Sequence, residues 1–410
     1  MSLVCRAAQS AARQRASFRA SIGFAMLIAA SGTASPLQLI PIVQIERPDA
    51  VGPDVFGEIA GVRSLPSGDV LVNDRVHRQL VLLDSGLRRI RIILDSVVGR
   101  AQSYGPMATR IVAALGDSTW FLDVASLSIV VIDPAGRVQR TMAAPRTRDL
   151  PLAATFHSGV DSRGRWIYRS FTASGFAQNT AARTIADSVP LVRVDESGAV
   201  DTVGRIRFMQ SRDSIVTTRD GRRILQTTIV PLSRVDDFTV TADGSLAMVR
   251  GGDYHIDWLR SDGTTVSTPP MPYDWRRISP AEKQQIVDSI RREFRRIAAG
   301  RGPRGRQNGP MPFETDVAGP EEIGDYYPPF NLGVVEADAD GNIWVPPNTS
   351  LEARDHQIIY DVINTHGRII RRVRLPKDRL AVGFARGGVV YMAAPRSTGG
   401  FRLERGRIPR

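Results

Sequence analysis

The stretch LPSGDVLVNDRVHRQLVLLDSGL (residues 65–87) decides the fold. It opens on a turn containing Gly, runs into a strand of alternating apolar character, turns, runs into a second apolar strand, and turns again at Asp-Ser-Gly. Period-two alternation bounded by Gly with Asp, Asn or Ser is the mark of antiparallel hairpins. The first half recurs six times, as SGDVLVND (67–74), GDSTWFLD (116–123), SRGRWIYR (162–169), ADGSLAMV (242–249), ADGNIWVP (339–346) and RGGVVYMA (386–393). The second half recurs behind each copy, as LVLLDSGLRRIRI (80–92), IVVIDPAGRVQRT (129–141), LVRVDESGAVDTV (191–203), IDWLRSDGTTVST (256–268), IIYDVINTHGRIIRRV (358–373) and FRLERGRI (401–408). A short strand precedes the unit, as in IAGVRSL (59–65), DFTVTA (237–242) and LGVVEAD (332–338). Each unit is therefore a four-stranded meander, with strands a to d.

Closely spaced units span about 46 to 50 residues, the length of a propeller blade. Radial packing of such blades buries both sheet faces and leaves only short edges. The expectation is an all-β, six-bladed β-propeller over 37–410. In the last copy only Ile408 to Arg410 follow the final Gly, too few for an outer strand. The segment LQLIPIVQIERP (37–48) is similar to the d strand IIRRVRLP (369–376), so it is expected to complete the sixth blade and latch the ring.

The blade text, above all residues 65–87, resembles the NHL-type repeats of six-bladed β-propellers in the NHL/TolB-like superfamily. The resemblance covers about 37 to 410 and implies an architecture rather than a reaction, because the superfamily holds hydrolases, lyases and binding modules.

Composition narrows the function classes. With 42% hydrophobic and 23% charged residues, 36 Gly and 26 Pro, the chain is neither globally disordered nor collagenous. The net charge of +12 is almost all arginine, since Lys283 and Lys377 are the only lysines. Acidic residues are interspersed, and Arg6, Arg13, Arg15 and Arg19 lie in a segment expected to be removed, which leaves about +8, modest for the size. No nucleic-acid role is read from it. Arg6 to Arg19 form a basic region, Ile22 to Ala30 a short apolar one, and Ser31 to Ser35 offer small residues for cleavage near Ala34. Residues 1–34 are thus expected to be a signal peptide, and the mature chain periplasmic or secreted in a bacterium, without a transmembrane span. The single cysteine, Cys5, leaves with the signal, which excludes disulfides, cysteine-zinc sites and a thiol nucleophile. No GxSxG, HExxH, P-loop or dinucleotide fingerprint is present.

In a meander blade the b–c and d–a connections share one side of the disc. The long insertions all fall there: Ser170 to Val189, Arg205 to Arg234, Pro269 to Phe330, Pro346 to Gln357 and Ala394 to Gly400. The largest, 269–330, holds a helix at about 280–299. Ser279 at the N-cap, Pro280 at N1 and Glu282 at N3 form a capping box, and Ile286, Ile290, Phe294 and Ile297 share a face. GRGPRGRQNGP (300–310) follows as a solvated loop. Trp120, Trp166 and Trp344 occupy equivalent b-strand positions and are expected to pack between blades.

Strand a starts on the built-up side and lines the central channel. The residues at its beginnings are Glu58, Arg110, His157, Asp236 with Asp237, Asn331 and Arg379, a polar set suited to a binding mouth. Tyr326, Tyr327 and Asp325 would add contacts from the insertion. The leading expectation is a binding module, for an unknown protein or small-molecule ligand, with no cofactor. The alternative follows from the resemblance: Glu58, Asp236 and Asn331 are similar to the Glu, Asn and Asp set of calcium-dependent lactonases and arylesterases on six-bladed propellers. Here the order is Glu, Asp, Asn, and two arginines share the mouth. In that alternative His157 is the candidate base.

Overall fold

The computed structural model describes residues 40–96, 103–105, 110–170, 183–184, 188–217, 221, 223–300, 313–351 and 357–409. The expected signal segment and the 300–310 loop, apart from Gly300, lie outside these residues. Six sheets form the blades, five of four strands and one of five, each running from an inner to an outer strand. Blade 1 is Ile59–Ser64, Val70–Asp74, Gln79–Leu83 and Arg89–Leu94. Blade 2 is Arg110–Ala113, Thr119–Asp123, Ser128–Ile132 and Val138–Ala143. Blade 3 is Ser158–Val160, Trp166–Arg169, Ser188–Val194 and Val200–Arg207, and blade 4 is Asp237–Val240, Leu246–Arg250, His255–Leu259 and Thr265–Ser267. Blade 5 is Glu336–Ala337, Ile343–Val345, Ile359–Ile363 and Ile369–Arg374. Blade 6 is Leu380–Ala385, Val389–Pro395 and Phe401–Arg407, with Ala50–Val51 as its outer strand.

The hairpins form because their turns are chemically specified. In the a–b turn of blade 3, Asp161 accepts the amides of Arg163 and Arg165, and Gly164 takes φ 79°. In blade 5, Asp338 does the same for Asp340 and Asn342, and its second oxygen also accepts Trp344 Nε1. Such turns need one residue at positive φ, which glycine reaches without a Cβ clash.

The blades close into a ring, each packing on the next. Blades 2 and 3 share a core of Val112, Leu122, Val160 and Trp166. Blades 3, 4 and 5 share one of Ile167, Phe238, Trp258, Val335 and Ile343. Trp344 and Tyr360 of blade 5 pack on Val390 and Met392 of blade 6. Blade 6 returns to blade 1 so closely that a Cβ on Gly383 would stand 2.4 Å from the Val62 carbonyl oxygen. The fold is a β-propeller on this topology. Trp166 and Trp344 lie between blades and are 0% and 1% exposed; removing about 200 Å² apiece from water is worth on the order of 5 kcal/mol by area.

Two details differ from the sequence expectation. An N-terminal strand does close blade 6, but it is not drawn from the described part of 37–48. Within that segment Ile42–Gln44 runs parallel to Ile369–Arg374 as a fifth strand of blade 5, and Ala50–Val51, just beyond it, closes blade 6 against Phe401–Arg407. Parallel addition uses the free outer edge of blade 5 and carries Ile45 into the core between blades 5 and 6, where it is 1% exposed. Second, blade 6 has no long b–c loop, since the ladder continues to Pro395↔Phe401.

The insertions expected as loops converge on a seventh sheet. Arg183–Thr184, Ser211–Thr217, Arg223–Ile229 and Phe313–Val317 pair in that order, the last two in parallel. The helix Pro280–Gly300 packs on it through Ile286, Val287 and Ile290, together with Ile229, Val317, Ile323 and Tyr327. Its capping box is formed: Ser279 N–H donates to Glu282 Oε2 at 2.8 Å, and Glu282 N–H to Ser279 Oγ at 3.3 Å. This module ties the connections that flank blade 4. No helix among the described residues is long and apolar enough to cross a membrane.

Candidate functional site

The inner strands deliver their first residues to the channel, but these residues divide into two groups. One group is spent on holding blades. Glu58 is buried and accepts Arg75 Nε at 2.9 Å, while its own N–H donates to Asp74 Oδ1. Asp236 accepts Arg207 N–H at 2.9 Å, Gly251 N–H at 3.0 Å and Arg250 Nη1 at 3.0 Å, which clasps the outer strand of blade 3 to blade 4. Asn331 donates through Nδ2 to Asn348 Oδ1 at 2.7 Å. Arg379 grips Glu404 through Nε and Nη2, both at 3.0 Å. Tyr327 is a core side chain of the helical module, with Arg276 stacked over its ring at 4.4 Å. Tyr326 is 41% exposed, and Asp325 pairs with Lys283 at 2.9 Å.

Glu58, Asp236 and Asn331, the set of the calcium alternative, are thus each engaged within the protein. Each oxygen set already answers an arginine, backbone amides or a side-chain amide. Among the described residues no group of three or more His, Cys, Asp or Glu is placed to hold a metal.

The second group meets in the channel, and it includes two residues that the sequence pattern missed. Arg110 starts the inner strand of blade 2. His157 precedes that of blade 3, and Asp237 starts that of blade 4. Blade 5 supplies Glu336 rather than Asn331, because its inner strand is only Glu336–Ala337. The reason lies in Asp237. Its Oδ2 accepts the amides of Gly333, Val334 and Val335 at 2.8, 3.0 and 3.1 Å, and its Oδ1 accepts Phe238 N–H at 2.9 Å. The carboxylate captures the chain before the strand can begin. Arg169, at the end of the b strand of blade 3, is the other addition. Its side chain is 0% exposed and its Nη2 donates to Asp237 Oδ1. Its guanidinium also lies 4.9 Å from the centre of the Phe238 ring.

Across the channel, His157 Nε2 stands 3.3 Å from Glu336 Oε2. The Glu336 carboxylate is half-exposed, the His157 ring buried. Removal from water works to raise the pKa of Glu336, but His157 and Arg110 outweigh it and hold the carboxyl below its usual range. Burial lowers the pKa of Arg110, against the attraction of Glu336 and Asp237 and with the repulsion of Arg169. Nε2 of His157, the candidate base, is thus directed at a carboxylate, and its Nδ1 is buried without a partner. The group that faces the channel is Glu336.

No protein-family model and no curated protein matches the chain. Among solved structures it is similar to a Bacteroides fragilis protein assigned as exported, with 8% identity over 90% of this chain and 100% of that one and a TM-score of 0.47. A streptogramin B lyase matches at 12% identity, 87% and 95% coverage and a TM-score of 0.38. A gluconolactonase from Xanthomonas campestris matches at 11%, 93% and 99%, with 0.37. At these values the propeller assignment rests on the sheet topology.

Proposed function

We propose that this chain is an exported, NHL-like six-bladed propeller that binds a small-molecule ligand at the channel mouth, on the side built up by the long connections. The supporting observation is the convergence of Arg110, His157, Arg169, Asp237 and Glu336 from four consecutive blades. Polar side chains held on separate rigid strands and turned toward one cleft suit ligand recognition. The propeller acts as the scaffold; Glu336 and Arg110 are the solvent-facing contacts, and Asp237 fixes where Glu336 stands. Export is read from the basic and apolar segments within residues 1–34.

The test is retention of a metabolite. Purified chain is mixed with a low-molecular-weight extract, separated by size, and the bound fraction identified by mass spectrometry. Wild type is expected to retain a compound that Glu336→Gln loses by at least about tenfold, the scale of one charge-assisted hydrogen bond. Equal retention by both, or none by wild type, refutes the assignment.

A further inference from the structure

We propose that the channel site recognises its ligand through an oxyanion, a carboxylate or a phosphate, received by Arg110 and the unpaired nitrogens of Arg169. The inference deepens the binding function above and rests on it.

The argument is one of unfilled donors. Arg169 is wholly buried, yet only Nη2 has an acceptor; Nε and Nη1 have none. A buried donor without a partner costs about 1–3 kcal/mol, and more when charged. The chain does not treat its other mouth arginine this way: Arg379 spends Nε and Nη2 on both oxygens of Glu404, and Nη1 on the Lys377 carbonyl. Arg169 could have been satisfied by Asp237 in the same manner. Instead Asp237 divides its oxygens among four backbone amides and a single guanidinium nitrogen.

Charge points the same way. Asp237 pairs with Arg169 through a single nitrogen and leaves the other two nitrogens of the guanidinium without acceptors. Arg110 makes no ion pair among the described residues, and the carboxylate whose attraction it feels most, Glu336, is shared with His157. The fully buried Arg169 and the partly buried Arg110 thus have for acceptors Asp237, which also holds four backbone amides, and Glu336, which also meets His157. Water would supply acceptors but no charge. An oxyanion supplies both, and arginine–oxyanion contacts are among the strong hydrogen bonds of proteins. Phe238 beneath Arg169 keeps that side of the seat apolar and strengthens the interaction by excluding water.

The experiment uses crystals of the full chain, soaked separately in sodium bromide, sodium formate, sodium phosphate and, as the neutral comparator, formamide. The expected result is an anomalous bromide peak within hydrogen-bond reach of Arg110 and Arg169, displaced by formate or phosphate and not by formamide. Whichever of the two displaces it more completely assigns the carboxylate or the phosphate. Arg110→Met, which breaks no ion pair, is expected to fold and to lose the peak. Water alone on Arg169 in the bromide soak, or a peak unchanged in Arg110→Met, overturns the proposal. If wild type still retains a metabolite from the extract while bromide stays out of the channel, only the anionic class falls. If both fail, the binding site falls with it.

Discussion

Replacing Asp237 by alanine is the sharpest probe of how the channel is built. The fully buried carboxylate accepts Phe238, Gly333, Val334 and Val335 N–H at 2.8 to 3.1 Å and the Arg169 guanidinium. Asp237→Ala strands five donors. Each could cost about 1–3 kcal/mol, but they share one cavity that water can enter, so they do not add. Breaking a buried ion pair from one side costs about 3–5 kcal/mol, and we expect that loss here. The double variant Asp237→Ala/Arg169→Met should be less damaged than the sum of the singles, by about 1–3 kcal/mol, because no charge is left unpaired. Urea unfolding followed by tryptophan fluorescence measures all four proteins, and five tryptophans supply the signal. A loss below about 0.5 kcal/mol for Asp237→Ala, typical of a surface change, would refute the reasoning, as would strict additivity. Because Asp237 sets the start of blade 5, Asp237→Ala should also weaken ligand retention through a displaced Glu336.

Two further outcomes are expected. Phe56 is 0% exposed and exchanges backbone hydrogen bonds with Phe401 at 2.8 Å in both directions; Phe56→Ala should cost about 3–5 kcal/mol in urea unfolding, and a loss under about 1 kcal/mol would show that ring closure does not depend on it. Carboxyl titration by NMR should find Glu336 below and Asp361 above the ordinary range, Asp361 being raised by burial despite Arg372 and Tyr254. The signs oppose each other. Glu336 contributes stability above its unfolded pKa that is lost as pH falls through the lowered folded value. Asp361 takes stability away as pH rises from its unfolded pKa through its raised folded value. Ordinary titration of both would contradict the burial and charge pattern of the channel and of blade 5.

The blades were legible because hairpin chemistry is local. An Asp that accepts two amides and a Gly at positive φ write the turn into a few residues, as at Asp161 with Gly164 and at Asp338 with Gly341. The site was half legible. Arg110, His157 and Asp237 stand at strand beginnings, where the meander places them. Glu336 was displaced from the expected Asn331 by the capture of three amides on another blade, which no local pattern records. Arg169 left one faint signal: it lies in phase with Ile167, a core residue of the same strand, so alternation alone turns a charge inward. The seventh sheet shows the same limit. Ser211–Thr217 and Arg223–Ile229 are neighbours in sequence, but the parallel partner of the second, Phe313–Val317, lies beyond all of blade 4.

The seam at Phe56 and Phe401 has a consequence for biogenesis. A ribosome releases the first half of that seam long before the second, so the early strands wait, sticky and unmatched, through nearly the whole of translation. The export proposed above would suit such a polypeptide, since the ring is sealed only once Phe401–Arg407 is made. A product truncated before residue 401 would leave blade 6 without its last two strands, and quality-control proteases would meet it as an open edge rather than a sealed disc.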